Sequence, residues 1–327
     1  MTFLIIFTVF FNTSFELFPY YGKNFFKTEE KGILLNFGNF SIIGNDLLDF
    51  RTSFNILYLK KEKSSIFENF FIPYSKSLYP ETRKIFKDTL NNLFLWVKEI
   101  SFNLKIKDLN FSAGRIPISW ELLNIYSLFS FFNPSLPFTP SSVSRAGVDG
   151  FLFKFEKDFN YLEYGIFPQK NDTLHSAFRI HLSRTGDKEL FLLFEEPYKR
   201  GIGIIFSFLS GITRFEFLYD KKFNFGIGYD YFLFSKIYTN IEFIYTDYPL
   251  KQKILSLIIS RTGFNKSVSF IFSNDFENKI FSIFGAFSYS LKDNMEINFS
   301  AFYYKTNNLL YLDNKVWLVF TGLKLYF

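Results

Sequence analysis

Phe223-Asn224-Phe225-Gly226-Ile227-Gly228-Tyr229-Asp230-Tyr231-Phe232-Leu233 carries two different surfaces on one extended chain. Phe223, Phe225, Ile227, Tyr229, Tyr231 and Leu233 fall on one face, and Asn224, Gly226, Gly228, Asp230 and Phe232 on the other. Side chains on a strand alternate between faces, so this run reads as a strand with one greasy and one mixed wall. The pattern continues downstream. Ile237, Thr239, Ile241, Phe243 and Tyr245 oppose Tyr238, Asn240, Glu242, Ile244 and Thr246; Met295, Ile297, Phe299, Ala301 and Tyr303 oppose Glu296, Asn298, Ser300, Phe302 and Tyr304. Such runs have the length of a tilted membrane-crossing strand, about ten residues, where ordinary strands have about five or six. Short polar turns separate them, as at Asp220-Lys221-Lys222, Ser273-Asn274-Asp275 and Lys292-Asp293-Asn294.

Composition narrows the class. The 327 residues include 51 Phe and 20 Tyr, yet charged residues still make up 21%, with a formal net charge of +6. Zero Cys excludes a disulfide scaffold, thiolate zinc sites and iron–sulfur clusters, and two His make a histidine-rich metal site a poor expectation. An AT-rich genome would inflate Phe, Lys, Asn and Ile, but it cannot arrange them with period two. A transmembrane helix needs about 20 consecutive apolar residues; the sustained apolar run, Phe3 to Phe11, has instead the length of a signal-peptide core. We expect residues 1–14 to be a signal peptide, although no Lys or Arg precedes the run; a short hydrophobic first strand is the alternative. Residues 15–327 are expected to form a single domain.

Seventeen candidate strands can be marked between residue 31 and the C-terminus. Open hairpin arrays expose two edges, and in lipid only closure satisfies every backbone group. The expected fold is therefore all-β, a closed antiparallel transmembrane β-barrel of about 16 strands, range 14–18, since single-chain bacterial barrels have even numbers. Two stretches break the hairpin rhythm. Residues 61–92 read as a long loop with a short helix near Glu81–Asp88, and residues 121–146, with Pro134, Pro137 and Pro140, as a loop able to fold into the lumen. Tyr229, Tyr231, Tyr245, Tyr248, Tyr303, Tyr304 and Trp317 lie toward strand ends, as an interfacial aromatic belt requires. A soluble aromatic-rich sandwich is the competing architecture.

Two sequence features resemble a known family. The chain given stops on Phe327, with Leu325 two before it and Gly322 five before it. This is similar to the C-terminal signature of outer-membrane barrels, which implies recognition by the barrel assembly machinery; Phe320 departs from it, where a polar residue is usual. In the middle, Ala113-Gly114-Arg115-Ile116-Pro117-Ile118-Ser119-Trp120, then Asn133-Pro134, then Arg145-Ala146-Gly147-Val148-Asp149 resembles a motif of porin-like outer-membrane proteins, the alginate-export and carbohydrate-porin-like group. Ile116 and Glu121 depart from that motif, standing where Gln and Gly are usual. The resemblance implies that Arg115 and Arg145 lie at or near an internal loop facing the lumen. On physical grounds an inward Arg can pair with a carboxylate such as Glu121 or Asp149.

Parity places Arg115, Lys154, Arg179, Arg214 and Lys324 on the lumen wall beside Glu156, Glu216, Asp230, Glu242 and Glu296. The signs balance, so neither anion nor cation selectivity follows. His181 and Ser183 share a strand face next to Arg179, the spacing of a possible hydrolase dyad, but that face is the lumen and a lipid-acting site must look outward. No phosphate-binding loop or metal-ligand cluster is visible, no cofactor is expected, and the charge suits no nucleic acid. The expected function is a porin-like channel in a bacterial outer membrane for passive diffusion of small hydrophilic solutes, without enzymatic activity, as a monomer or homotrimer. A plugged structural or lipid-acting enzymatic barrel is the alternative. Pore or constriction candidates are Arg115, Glu121, Arg145, Asp149, Arg179, Arg214, Glu216, Asp230, Glu242 and Glu296. On alternation alone, Phe225→Arg should impair assembly while Asn224→Arg is tolerated and alters conductance; equal tolerance would argue against a barrel.

Overall fold

The computed structural model describes residues 14–24, 29–44, 48–61, 82–87, 91–118, 120–129, 147–168, 174–183, 188–195, 199–234, 236–247, 251–292, 294–306 and 315–326. Among these are nineteen strands and no helix. The first six are β1 (Ser14–Asn24), β2 (Glu29–Gly44), β3 (Leu48–Lys61), β4 (Thr82–Lys87), β5 (Asn91–Ile106) and β6 (Leu109–Ile116). Then come β7 (Val148–Lys157), β8 (Asn160–Pro168), β9 (Leu174–Ser183), β10 (Lys188–Glu195), β11 (Lys199–Phe208), β12 (Gly211–Asp220) and β13 (Lys222–Leu233). The last six are β14 (Ile237–Thr246), β15 (Gln252–Thr262), β16 (Lys266–Asp275), β17 (Ile280–Lys292), β18 (Met295–Thr306) and β19 (Lys315–Tyr326).

All of them belong to one antiparallel sheet that returns to its start. β1 pairs with β2 on one side and with β19 on the other, from Ser14 opposite Tyr326 to Asn24 opposite Val316. β4 pairs only with β5, along the edge that β6 takes further on, and β3 pairs directly with β5. The other eighteen strands each have a ladder neighbour on both sides, β5 sharing one side between β4 and β6, and their number is at the top of the expected range. All seventeen segments marked in the sequence are present, and the even number arises by gaining β1. Pro19 hides β1 in the sequence, because a residue without an N–H reads as a strand breaker. The ladder to β19 steps over it, from Leu17 opposite Leu323 to Tyr20 opposite Phe320.

The helix expected near residues 81–88 is instead the strand β4. Six residues are too few to repay helix nucleation, whereas the vacant edge of β5 offers ladder bonds at once. Residues 1–13, the bulk of the expected signal peptide, lie outside the described residues, as do 130–146 of the second loop.

The wall is sided as the alternation demands. Phe151, Phe153, Phe155, Ile202, Ile204, Phe270, Phe287 and Phe299 are exposed, while Ser53, Ser101, Glu216, Asn240, Glu242, Ser256, Ser273 and Ser282 are buried on the other face. This inverts the usual order, in which large apolar side chains hide and charges face solvent. At the end that carries Ser14 and Tyr326, two-residue turns join β7 to β8 and β11 to β12. Asp158-Phe159 and Leu209-Ser210 have φ values of 48° and 67°, and 45° and 61°. Paired positive φ is the hairpin geometry that matches the twist of the flanking strands.

One expectation from alternation needs correction. Asn224 faces inward but is 1% exposed, and its Oδ1 accepts the Asp247 N–H at 2.8 Å. A filled site cannot take Arg freely. A better inward probe is half-buried Asn298, beside outward Phe299 on β18. Phe299→Arg should cost about 2–4 kcal/mol of barrel stability at mid-bilayer. Asn298→Arg should fold like the parent by heat-modifiable gel migration, and equal behaviour of the two variants would refute the sidedness.

Candidate functional site

The chain leaves β6 through Gly114 and Arg115. Gly114 has φ +114°, and a Cβ there would stand 2.2 Å from the Ile100 carbonyl oxygen, so no other residue fits without moving β5. Arg115 meets Asp149, its direct cross-strand neighbour on β7, through two bonds: Nε to Oδ1 and Nη2 to Oδ2, both 2.9 Å. Its Nη1 also donates to the Val97 carbonyl at 3.3 Å. Of the two carboxylates open to Arg115 in the sequence, the fork therefore takes Asp149; Glu121 is half-buried nearby in sequence. The pair ties together the two strands between which the long connection departs and returns.

Residues 120–129 then cross the polar face of β11 to β14. Glu216 on β12, 0% exposed, accepts the N–H groups of Leu122 and Leu123 on Oε1 (2.8 and 3.1 Å), and that of Leu128 on Oε2 (2.6 Å). The Ser127 hydroxyl adds a bond to Oε1 at 2.5 Å. Glu242 on β14 accepts Asn124 N–H on Oε1 (2.5 Å) and Ile125 N–H on Oε2 (3.0 Å). The Asn124 amide donates to Asp230 (3.2 Å) and to the Tyr238 hydroxyl (3.1 Å). Two wall carboxylates thus serve the backbone donors of an irregular segment that has no ladder partner of its own.

Glycines make room for this. Gly203 and Gly226 flank Glu216 across the sheet, and Gly228 faces Glu242. A Cβ at Gly203 would lie 2.2 Å from Leu122 Cδ1, at Gly226 2.6 Å from Leu123 Cδ1, and at Gly228 2.8 Å from Leu123 Cδ2. A notch without side chains lets the segment settle onto the carboxylates. Around it, Trp120 and Phe129 of the segment join Phe167, Phe191, Leu193 and Leu218 of the wall in a dry cluster. The Trp120 side chain bonds Glu163. Further along, Tyr126 reaches Ser273 on β16; loss of water pushes its phenol up to about 12, and the Ser273 bond pulls the other way.

The remaining inward charges are paired. Arg214 binds Asp230. Arg179 lies 3.5 Å from Glu163, its cross-strand neighbour, and over the Phe191 ring at 4.8 Å. Lys154 bonds Glu156 at 2.7 Å. His181 lies between the tilted rings of Tyr161 and Phe191 at centroid distances of 4.4 and 4.6 Å, and its Nε2 faces Glu189 at 3.1 Å. That holds it as a wall residue, and the Ser183 N–H bonds Asn160. Glu296 stands apart from this group, opposite Lys324 across β18 and β19. Arg145 and Phe327 lie outside the described residues, and Gly322 is buried on β19.

The sequence therefore named Glu216, Asp230 and Glu242 as inward groups but missed what they hold. The apolar anchors Trp120 and Phe129 were also missed. Glycines two apart, Gly201 with Gly203 and Gly226 with Gly228, were the available signal, since inward glycine in a strand marks a close approach.

No family model and no curated protein sequence matches the chain. Solved structures do. Acinetobacter baumannii OccAB3 aligns over 97% of this chain and 98% of its own, with TM-score 0.62 and 10% identity. Pseudomonas aeruginosa OccK7 (OpdD) covers the same shares at TM-score 0.61 and 7% identity. The outer membrane protein opdK from Pseudomonas aeruginosa does so at TM-score 0.58 and 9% identity. These likenesses establish the fold, and they lend no support to the narrower alginate-export or carbohydrate-porin-like resemblance. Glu216→Gln should release the segment, because an amide offers one acceptor oxygen and turns its own N–H groups on the remaining donors. A loss of about 1.5–3 kcal/mol per charge-assisted bond is expected. Limited proteolysis should then cut within 120–129 in Glu216→Gln and spare the parent.

Proposed function

We propose that the chain is a porin-like channel of a bacterial outer membrane, through which small hydrophilic solutes diffuse passively. The observation that carries this is the combination of a ring of eighteen paired strands, apolar outside and polar inside, with a segment pinned across the polar face by Glu216 and Glu242. A ring of that size leaves room for water. The segment narrows that room without relying on lipid or on a partner. Arg115, Asp149, Arg179, Arg214 and Asp230 act as paired wall charges, and Glu121, Arg145 and Glu296 remain candidates for the lining. Because the paired signs offset one another, weak ion selectivity follows.

Outer-membrane proteins with the same fold support the location. Export there suits the Phe3–Phe11 run as a signal core, and the Gly322, Leu325, Phe327 register suits recognition by the barrel assembly machinery. Both monomer and homotrimer fit this wall. No enzymatic step is assigned to His181. The plugged reading draws on the dry cluster of Trp120, Phe129 and Phe167, which closes part of the interior.

Planar-bilayer recording separates the two. The parent should give stepwise conductance, and deletion of residues 122–128 should raise the single-channel value severalfold. A folded, inserted parent that never conducts, with conductance appearing only in the deletion, would establish the plug. Silence in both proteins would reject the channel altogether.

A further inference from the structure

At the end of the ring remote from Ser14 and Tyr326, one outward-facing patch carries charge that its surroundings do not answer. Lys305 on β18 stands directly opposite Lys315 on β19. Both are exposed, and like charges in direct cross-strand register repel. Lys279, in the turn before β17, lines an open groove with Lys305, Phe281, Phe276, Asn274 and Asp275. Among the described residues, the nearby carboxylates are already engaged. Asp275 Oδ1 accepts the N–H groups of Lys253, Glu277 and Asn278, and its Oδ2 takes the Asn278 amide at 2.7 Å. Glu277 lies 2.9 Å from Lys251 and 3.5 Å from Lys253. The Lys251 bond holds the Glu277 carboxyl below the usual range. Among the described residues, no ion pair joins Lys279, Lys305 or Lys315.

The same face continues into the apolar wall. Phe281 is opposite Lys305, then Ile283 opposite Tyr303, then Gly285 opposite Ala301, then Phe287 opposite Phe299. The Phe270 ring lies over Gly285, so the low interval in this bulky row is at Ala301. A chain of methylene groups can lie there with its charged head at the lysines. The edge of the apolar band is where Lys side chains reach head-group phosphates and where Tyr303 finds both phases.

We propose that Lys279, Lys305 and Lys315 form a binding site for the phosphate of a lipid head group, with the acyl part lying along Phe281, Tyr303 and Ala301. The unpaired cations supply the charge complementarity, and continuity with the lipid-facing wall selects a lipid over a dissolved anion. This rests on the membrane-spanning reading and is independent of conduction.

The test uses the full chain inserted in phosphatidylcholine nanodiscs, with insertion checked in each sample by flotation and heat-modifiable migration. The added probes are bisphosphorylated lipid A, its dephosphorylated form, phosphatidylglycerol and inorganic phosphate, and native mass spectrometry reads retained lipid. The parent should retain phosphorylated lipid at least about tenfold better than the dephosphorylated form, and the triple variant K279Q/K305Q/K315Q should lose that preference. K107Q/K157Q, at the opposite end, should retain it. The relative retention of lipid A and phosphatidylglycerol identifies the head group. Equal retention by parent and triple variant, or displacement of lipid by millimolar inorganic phosphate, would overturn the proposal while leaving the barrel intact. Failure of the parent to insert would overturn both.

Discussion

Backbone N–H and C=O groups facing hydrocarbon have no solvent to bond, so a sheet that lies in lipid must supply every partner itself. The contact on which this molecule depends is accordingly the ladder between β1 and β19. Without it the first and last strands would each present a row of unsatisfied groups. With it, the wall can turn Phe and Ile outward at no polar cost. The short β4 shows the same rule on a small scale, since it covers a stretch of β5 that β6 leaves bare.

Closure creates an interior, and the interior sets a second problem. An irregular segment placed there needs donors for its carbonyls and acceptors for its N–H groups away from bulk water. Residues 120–129 meet half of that need with two carboxylates, each bonded to successive N–H groups. The glycines beside Glu216 and Glu242 allow the approach, and the Trp120 cluster fixes the depth. A hydrophilic wall and a dry knot thus coexist on one face. The knot holds the segment in place, and the hydrophilic remainder is available to water.

Alternation made the strands readable because period two survives any biased composition. It also sorted the faces correctly at Phe299 and Asn298, at Phe225 and Asn224, and at Ile241 and Glu242. It failed where a local signal masked the ladder that a segment could join. Pro19 concealed β1, whose closing partner β19 is far away in sequence, and a charged run of helix formers concealed β4, which pairs with the adjacent β5. Alternation also says which way Asn224 points but nothing of how full its surroundings are, and an inward position proved to be a packed one.

Length and alternation were enough to specify an antiparallel sheet too extensive to leave open, with its Phe-rich side outward. Those are properties of near neighbours along the chain, and they need no knowledge of distant contacts. Which carboxylate Arg115 grips, and that Glu216 and Glu242 serve Leu122 to Leu128 instead of facing water, depended on where the connection between β6 and β7 comes to rest. Residues separated by 88 to 118 positions meet there, and such meetings arise from the closed geometry of the wall, which no local pattern encodes.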